Sequence, residues 1–187
     1  MTTSIDYELH KLTGTIDDVG VRLPPDFDTA GDKNSVFHPE IRMRTAAGTA
    51  VLSNVYVPKA IDALIQSGVS CDLYVVEAEA QLCPPGHGCV AQDPFCHVFA
   101  IDCGRDCMSA VHNTARHFGA IKRRGIDLLL SWAGMALLVS FVLIGIPFLI
   151  YFGILTLLAL AIRIPSADEL RRFLGNAGFP VGRDCAA

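Results

Sequence analysis

The feature that most limits what this chain can fold into is an uncharged stretch near its C-terminus. From Leu128 to Ile162, a run of 35 residues, no side chain carries a charge. A helix that crosses a bilayer needs only about 20 apolar residues, and a core helix of a soluble domain seldom needs so long a run. We therefore expect an integral membrane protein. The rest of the 187 residues leaves room for one ordinary domain.

The uncharged stretch is too long for one helical span. As a single helix it would extend about 52 Å, against a hydrocarbon core of roughly 30 Å. Gly145 and Pro147 mark the natural break, because glycine loosens a helix and proline removes a hydrogen-bond donor. The sequence thus predicts a transmembrane or re-entrant α-helical hairpin, with helices over 127–144 and 148–163. A single kinked helix is the alternative.

Basic residues flank both ends of the stretch. They are Lys122, Arg123 and Arg124 before it, and Arg163, Arg171 and Arg172 after it. Because basic flanks favour the cytoplasm, both termini are expected on that side. Anchoring to lipid head groups would also account for them. The N-terminus lacks the basic start and apolar core of a secretory signal, and we expect a bacterial inner-membrane location.

The charge balance argues against one class of partner. Residues 1–121 contain 8 basic and 15 acidic residues, a net charge of −7, whereas residues 122–187 contain 7 and 4, a net charge of +3. An acidic domain repels phosphate backbones. We therefore expect the N-terminal part to bind no nucleic acid.

The N-terminal part reads mainly as β structure. Ile41 and Met43 alternate with Arg42 and Arg44, the pattern of a half-buried strand. Strands are predicted over 9–16, 40–45, 49–57, 69–78 and 95–102, with a helix over 59–65 and a long excursion over 17–38. Three strands, a helix and two strands resemble the element order of an OB-type barrel. The predicted fold class is α+β: a small β-barrel-like, OB-like domain followed by the membrane hairpin. An otherwise arranged small α+β domain is the alternative.

These elements divide the chain into four parts. They are a soluble β-rich domain over 1–106, an amphipathic connecting helix over 107–125, the membrane hairpin over 126–164, and a short interfacial helix with a tail over 165–187. Gly119 and Gly125 are predicted joints of the connecting helix. Ser166 and Glu169 have capping-box spacing at the start of the last helix, and Leu170, Phe173 and Leu174 form its apolar side. Residues 1–120 are expected to fold without the hairpin.

Cysteine and histidine cluster between positions 83 and 107. The candidates for metal binding are Cys83, His87, Cys89, Cys96, His97, Cys103 and Cys107. Structural zinc sites use pairs of cysteines two to four residues apart, and only Cys103-x3-Cys107 has that spacing. Isolated reduced thiols are the leading interpretation, so neither a metal nor another cofactor is expected. A metal site, disulfides and a redox-sensitive loop over 83–89 remain open.

The sequence supports a catalytic function less strongly than it supports the predicted fold. Cys96 and His97 are adjacent on a predicted strand, so their side chains point to opposite faces and suit no nucleophile–base pair. No catalytic residue is predicted. We expect a non-enzymatic, membrane-anchored binding or adaptor protein that contacts the bilayer and a protein partner or a second copy. A homo-oligomeric channel or membrane-remodelling hairpin and a cysteine-based metal or redox sensor are the alternatives.

Overall fold

The computed structural model of the protein describes residues 4–23, 34–82, 90–91, 94–139 and 145–180. The strands are β1 (Ser4–Asp18), β2 (Ser35–Thr45), β3 (Gly48–Pro58), β4 (Ser70–Leu82), β5 (Val90–Ala91), β6 (Phe95–Asp102) and β7 (Cys107–Ser109). The helices are α1 (Lys59–Asp62), α2 (Val111–Val139), α3 (Gly145–Ala161) and α4 (Ala167–Asn176).

Five of the strands close into a small barrel. β1 pairs antiparallel with both β2 and β4, and β2 pairs antiparallel with β3. β6 closes the ring because it pairs parallel with β3 and antiparallel with β4. The circular order β1-β2-β3-β6-β4, with α1 between β3 and β4, is consistent with an OB-like domain. The predicted small barrel is confirmed.

Strand alternation fills the barrel as the sequence predicts. Ile41 and Met43 are fully buried, and Arg42 and Arg44 between and beyond them are exposed. On β4, Cys71, Leu73 and Val75 point into the same interior cluster. Because side chains alternate along a strand, one apolar residue in two is enough to build this interior.

A glycine lets β1 serve two neighbouring strands. Gly14 pairs with Thr45 on one side and with Cys71 on the other. A Cβ atom at this position would lie 2.1 Å from the carbonyl oxygen of Arg44. Any side chain would therefore push β2 away at the point where β1 passes from one partner to the other.

Several predicted bounds differ from the structure. β1 begins at Ser4 rather than at residue 9 and runs to Asp18, and β2 begins at Ser35. Both ends of the expected 17–38 excursion are therefore strand, and its residues 24–33 lie outside the described residues. Pairing with β4 along its length holds the polar start of β1 in the sheet, which local pattern does not show. α1 ends at Asp62, three residues early.

A second core lies outside the barrel, between its wall and the helices. Phe95 and Phe99 of β6 and Tyr74 of β4 pack there against Phe118 of α2 and Leu170 of α4. Other members include Val76, Ala78, Val111, Leu174 and Phe179. The two phenylalanines of β6 are thus core residues, although of this outer core. We call the two clusters the inner core and the outer core.

The helices after the barrel are joined differently from the expectation. α2 is one helix from Val111 to Val139 that continues through both predicted joints, Gly119 and Gly125, and the first residues of the predicted connecting helix form β7. α4 carries its predicted apolar side, but Leu170 and Leu174 are buried in the outer core. The sequence placed that side at a lipid surface, and the structure places it against the barrel.

α2 and α3 form an antiparallel helical hairpin. Trp132 of α2 stacks on Phe152 of α3, with ring centroids 6.5 Å apart. Within the described part of the chain, no helix combines the length and the apolar character that crossing a membrane requires. The packing of α2 on α3 agrees with the predicted helical hairpin, whereas the membrane part of the prediction has no support among these residues.

Candidate functional site

Among the described elements, α3 has the most exposed large apolar side chains. Phe152, Leu155 and Ala159 are buried on the side that packs on α2. The remaining large aliphatic side chains with described surroundings are 47% to 68% exposed: Ile150, Ile154, Leu157, Leu158 and Leu160. Leu130 and Met135 of α2 are similarly exposed. We call these seven residues the apolar flank.

The apolar flank contrasts with the surface of the barrel. Among the described residues before α2, the exposed large apolar side chains are Val21, Leu23 and Val51. Single exposed apolar residues are common on protein surfaces and need no explanation, whereas a contiguous apolar surface marks a site that contacts protein or lipid. A helix that is apolar around most of its circumference is typical of a fully covered environment.

Lys122 links α2 and α3 by hydrogen bonds at the end of the hairpin nearer the barrel. Its ammonium group donates hydrogen bonds to the carbonyl oxygens of Leu160, at 2.9 Å, and Ile162, at 2.7 Å. The last carbonyls of a helix lack intrahelical donors and carry partial negative charge, so a cation there is favourable. The contact fixes the C-terminal end of α3 beside the middle of α2.

The other predicted flanking cations lie near this same end. Arg123 and Arg172 are exposed, and Arg163 forms an ion pair with Glu169 at 3.1 Å. Arg171 contacts Asp168 at 3.6 Å and His112 of α2. The side chain of Arg124 lies outside the described residues. The hairpin is therefore polarised along its length, with cations at the base and the apolar flank beyond them.

The predicted hairpin break lies at the start of α3. Gly145 is the first residue of α3 and Pro147 the third. Proline is tolerated in the first turn because amide hydrogens there have no intrahelical acceptor. α2 is described as far as Val139, and the last five residues of the predicted helix, 140–144, lie outside the described residues.

The cysteine and histidine candidates do not converge where they are described. Cys96 points into the inner core, and His97, the next residue, faces the outer side of the barrel beneath α2. Cys103 packs against the inner core and Cys107 against the outer core. Cys83, His87 and Cys89 lie outside the described residues. Among the residues that are described, no group of three or more metal-ligating side chains is present.

Burial makes Cys71 and Cys96 weak nucleophiles at neutral pH. It raises the pKa of Cys96 to about 11 and, more strongly, the pKa of Cys71 to about 12. A thiol must ionise before it attacks an electrophile or binds a metal. At neutral pH these two thiols are therefore almost entirely protonated.

A buried histidine pair lies between the barrel and α2. The rings of His97 and His117 have centroids 4.8 Å apart. Nδ1 of His97 lies 3.1 Å from the Val98 carbonyl oxygen and 3.2 Å from Thr114 Oγ1, so Nδ1 carries the proton and donates to the carbonyl. Burial, and next the neighbouring His117, hold the pKa of His97 well below its usual value. His97 is therefore neutral near pH 7.

A second buried polar pair braces one end of the barrel. Nδ1 of His38 lies 3.0 Å from the Val19 carbonyl oxygen, and Nε2 lies 2.8 Å from Asp62 Oδ1. Asp62 also faces Arg22 at 3.5 Å. A histidine beside an aspartate is one element of a catalytic triad, but here both ring nitrogens already have acceptors. The pair links β2, α1 and the segment after β1, and this role is structural.

Neither polar pair follows from local sequence. His38 and Asp62 are 24 residues apart, and His97 and His117 are 20 apart on different kinds of element. Only strand register and helix docking bring each pair together.

Comparison of the chain with protein-family models, with curated proteins and with solved structures gives no match.

Proposed function

We propose that the protein is a non-enzymatic, membrane-anchored binding or adaptor protein, in which the α2–α3 hairpin enters a bilayer and holds the barrel at its surface. The apolar flank carries the proposal. Burial of its side chains contributes about 25 cal/mol of favourable free energy for each Å² of apolar surface removed from water. Lipid removes such surface from water as well as protein does. The barrel would then present its outer strands to a partner.

Helix length favours shallow insertion over a full crossing. α3 has 17 residues, about 26 Å at roughly 1.5 Å per residue, against a hydrocarbon core of roughly 30 Å. Arg123 and Arg172 are exposed near the base and suit a position among phosphate head groups, since cations near an anionic surface are attracted to it. A re-entrant hairpin fits both features, with the barrel and both termini on the cytoplasmic side of a bacterial inner membrane.

The outer face of β2 suits a protein partner better than a nucleic acid. Arg44 pairs with Asp17 at 3.0 Å, and Arg42 pairs with Glu40. These cations are neutralised within the barrel, so they offer little attraction to phosphate. Mixed charges of both signs are typical of surfaces that select a partner by complementary charge.

Vesicle flotation of the full-length protein tests the anchor. The probes are phosphatidylcholine vesicles with and without phosphatidylglycerol. An aspartate near the middle of an inserted helix costs roughly 2.5–3.5 kcal/mol, so Ile154→Asp should weaken vesicle binding about a hundredfold. Val51→Asp on the barrel is the matched control, because Val51 and Ile154 are both 53% exposed. This control should float like the wild type.

Two outcomes would reject the proposal. One is wild-type flotation of Ile154→Asp. The other is a stable dimer in mild detergent that shields Ile154 from water-soluble labels in the absence of lipid, which would favour the homo-oligomeric alternative. Binding that also strengthens with phosphatidylglycerol, and loses that gain in Arg123→Gln, would support cations at the head groups.

A further inference from the structure

The end of the barrel brings together two cysteines that the sequence keeps 32 positions apart, Cys71 and Cys103. The last pair of the β4–β6 ladder is Asp72 with Asp102. Extending that register by one step sets Cys71 opposite Cys103, and both residues pack at the inner core. The amide of Cys103 donates to the Asp106 carbonyl oxygen rather than to β4. The two cysteines therefore occupy a non-hydrogen-bonded cross-strand position.

The two thiols also face the same interior, because Cys71 belongs to the inner core and Cys103 packs against that core. Besides burial, a hydrogen bond from the S–H of Cys71 to the sulfur of Cys103 raises the pKa of Cys71, and it opposes the rise at Cys103. Opposite residues of an antiparallel pair have Cα atoms about 4.5–5.5 Å apart, inside the range of about 4.4–6.8 Å that disulfides need. A bond between the sulfurs requires no change of register.

We propose that Cys71 and Cys103 are a dithiol site that a small-molecule disulfide oxidises to a cross-strand disulfide. The site goes beyond membrane anchoring and does not depend on it. It also differs from the pair that spacing favours. Cys103 and Cys107 are four positions apart, but they pack against the inner and the outer core respectively, so their side chains diverge.

The reaction is thiol–disulfide exchange in two steps. The thiolate of Cys103 attacks the small disulfide, forming a mixed disulfide and releasing one thiolate, which takes up a proton. The thiolate of Cys71 then attacks the Cys103 sulfur, closes the protein disulfide and releases the second thiolate. The two cysteines lose two electrons and two protons, and the small disulfide gains them as two thiols.

The order of attack follows from exposure and hydrogen bonding. Cys103 is half-buried and Cys71 is buried, so the small disulfide reaches Cys103 first. The S–H of Cys71 also stabilises a thiolate on Cys103, although burial leaves the pKa of Cys103 above its ordinary value. Because only the thiolate attacks, the rate should rise with pH, about tenfold per unit while both thiols remain mostly protonated.

Peptide mapping of the full-length protein in mild detergent tests the site. The protein is incubated with oxidised glutathione over a pH series, free thiols are alkylated, and linked peptides are identified by mass. We expect a Cys71–Cys103 link in the wild type and in Cys107→Ser, and glutathione retained on Cys103 in Cys71→Ser. The linked form should melt about 5–10 °C higher, because the bond constrains the unfolded chain.

Wild-type mapping needs no variant to fold, so it decides the question even if Cys71→Ser is unstable. A Cys103–Cys107 link as the main product would overturn the proposal. So would alkylation of both Cys71 and Cys103 after exposure to oxidised glutathione at the most alkaline pH at which the wild type stays folded.

Discussion

In the barrel, Ile41 and Leu73 are completely buried, whereas on α3 the chemically similar Leu157 is 68% exposed. The barrel encloses its apolar side chains because five strands close on themselves and leave an interior. The hairpin has only two helices, so each can bury one side against the other and leaves the rest uncovered. Apolar content alone therefore does not show whether the rest of the protein buries a segment.

α4 belongs with the barrel in this comparison, although it follows the hairpin in the chain. Leu170, Leu174 and Phe179 are all buried in the outer core. The chain therefore leaves the barrel as α2, returns along α3, and completes the barrel's cover with α4. This arrangement argues against the expectation that residues 1–120 fold alone, because their outer face would lack this cover.

Removal of α4 should give the largest effect. Deleting residues 163–187 takes away three buried apolar side chains, each worth about 1.5–3 kcal/mol, so the free energy of unfolding should fall by roughly 5–9 kcal/mol. That is comparable with the whole stability of a typical domain. Denaturant unfolding in mild detergent measures it, with deletion of 181–187 as the control. Equal midpoints for the two chains would show that the barrel is complete without α4.

A pair of leucine substitutions tests the contrast residue by residue. Leu170→Ala should lower the free energy of unfolding by about 2–5 kcal/mol, because it leaves a cavity in the outer core. Leu157→Ala should change it by less than about 0.5 kcal/mol in detergent, because that side chain is exposed. Vesicle flotation should rank them in the opposite order. If both variants lose stability equally, the apolar flank is covered by protein.

Acidification should loosen the boundary between the two regions. His97 has a lowered pKa in the folded state, so the unfolded chain binds the proton more readily. Its contribution to stability is complete above about pH 6.5 and is lost as the pH falls toward its folded-state pKa, at up to about 1.4 kcal/mol per pH unit. Urea unfolding of the wild type and of His97→Asn between neutral and acidic pH measures this. The variant should show a smaller acid slope than the wild type, and equal slopes would contradict this prediction.

The sequence predicts some of these features and misses others for identifiable reasons. The alternation of Ile41 and Met43 with Arg42 and Arg44 predicts which face of β2 points inward, because this pattern is local and does not depend on which strands pair with β2. The predicted bounds of β6, 95–102, also agree with the structure, although β6 is buried on both faces. The apolar side of α4 was also identified, but Leu170 and Leu174 would suit lipid or protein equally. Only the return of the chain along α3 selects the barrel.

The candidate sites divide in the same way. The sequence predicts an apolar surface with basic residues at its base, because the run of 35 uncharged residues has basic residues near both ends. The juxtaposition of Cys71 with Cys103 and the ring contact of His97 with His117 depend on strand register and on where α2 crosses the barrel. Residue spacing instead favours Cys103 with Cys107, but these two pack against the inner and the outer core respectively.

The smallest predicted effect concerns the cap that begins α4, where the chain passes from the hairpin back to the barrel. Ser166 accepts a hydrogen bond from the amide of Glu169 at 3.2 Å, as the capping-box spacing predicts. Glu169 instead directs its carboxylate to Tyr7, at 2.9 Å, and Arg163. Only half of the predicted box therefore has its bond here, and the glutamate joins α4 to β1.

Ser166→Ala should consequently cost about 1 kcal/mol, the usual value for one lost cap, while Ser166→Asp should retain most of the stability. Because the cap orders the turn that carries Leu170 toward the outer core, amide exchange should accelerate in the first turn of α4 and remain unchanged in β4. Vesicle flotation should stay at the wild-type level, since Ser166 lies outside the apolar flank. A faster exchange in α3 as well would mean that the hairpin and the barrel unfold as one unit, and the contrast between them would then apply to their surfaces but not to their stability.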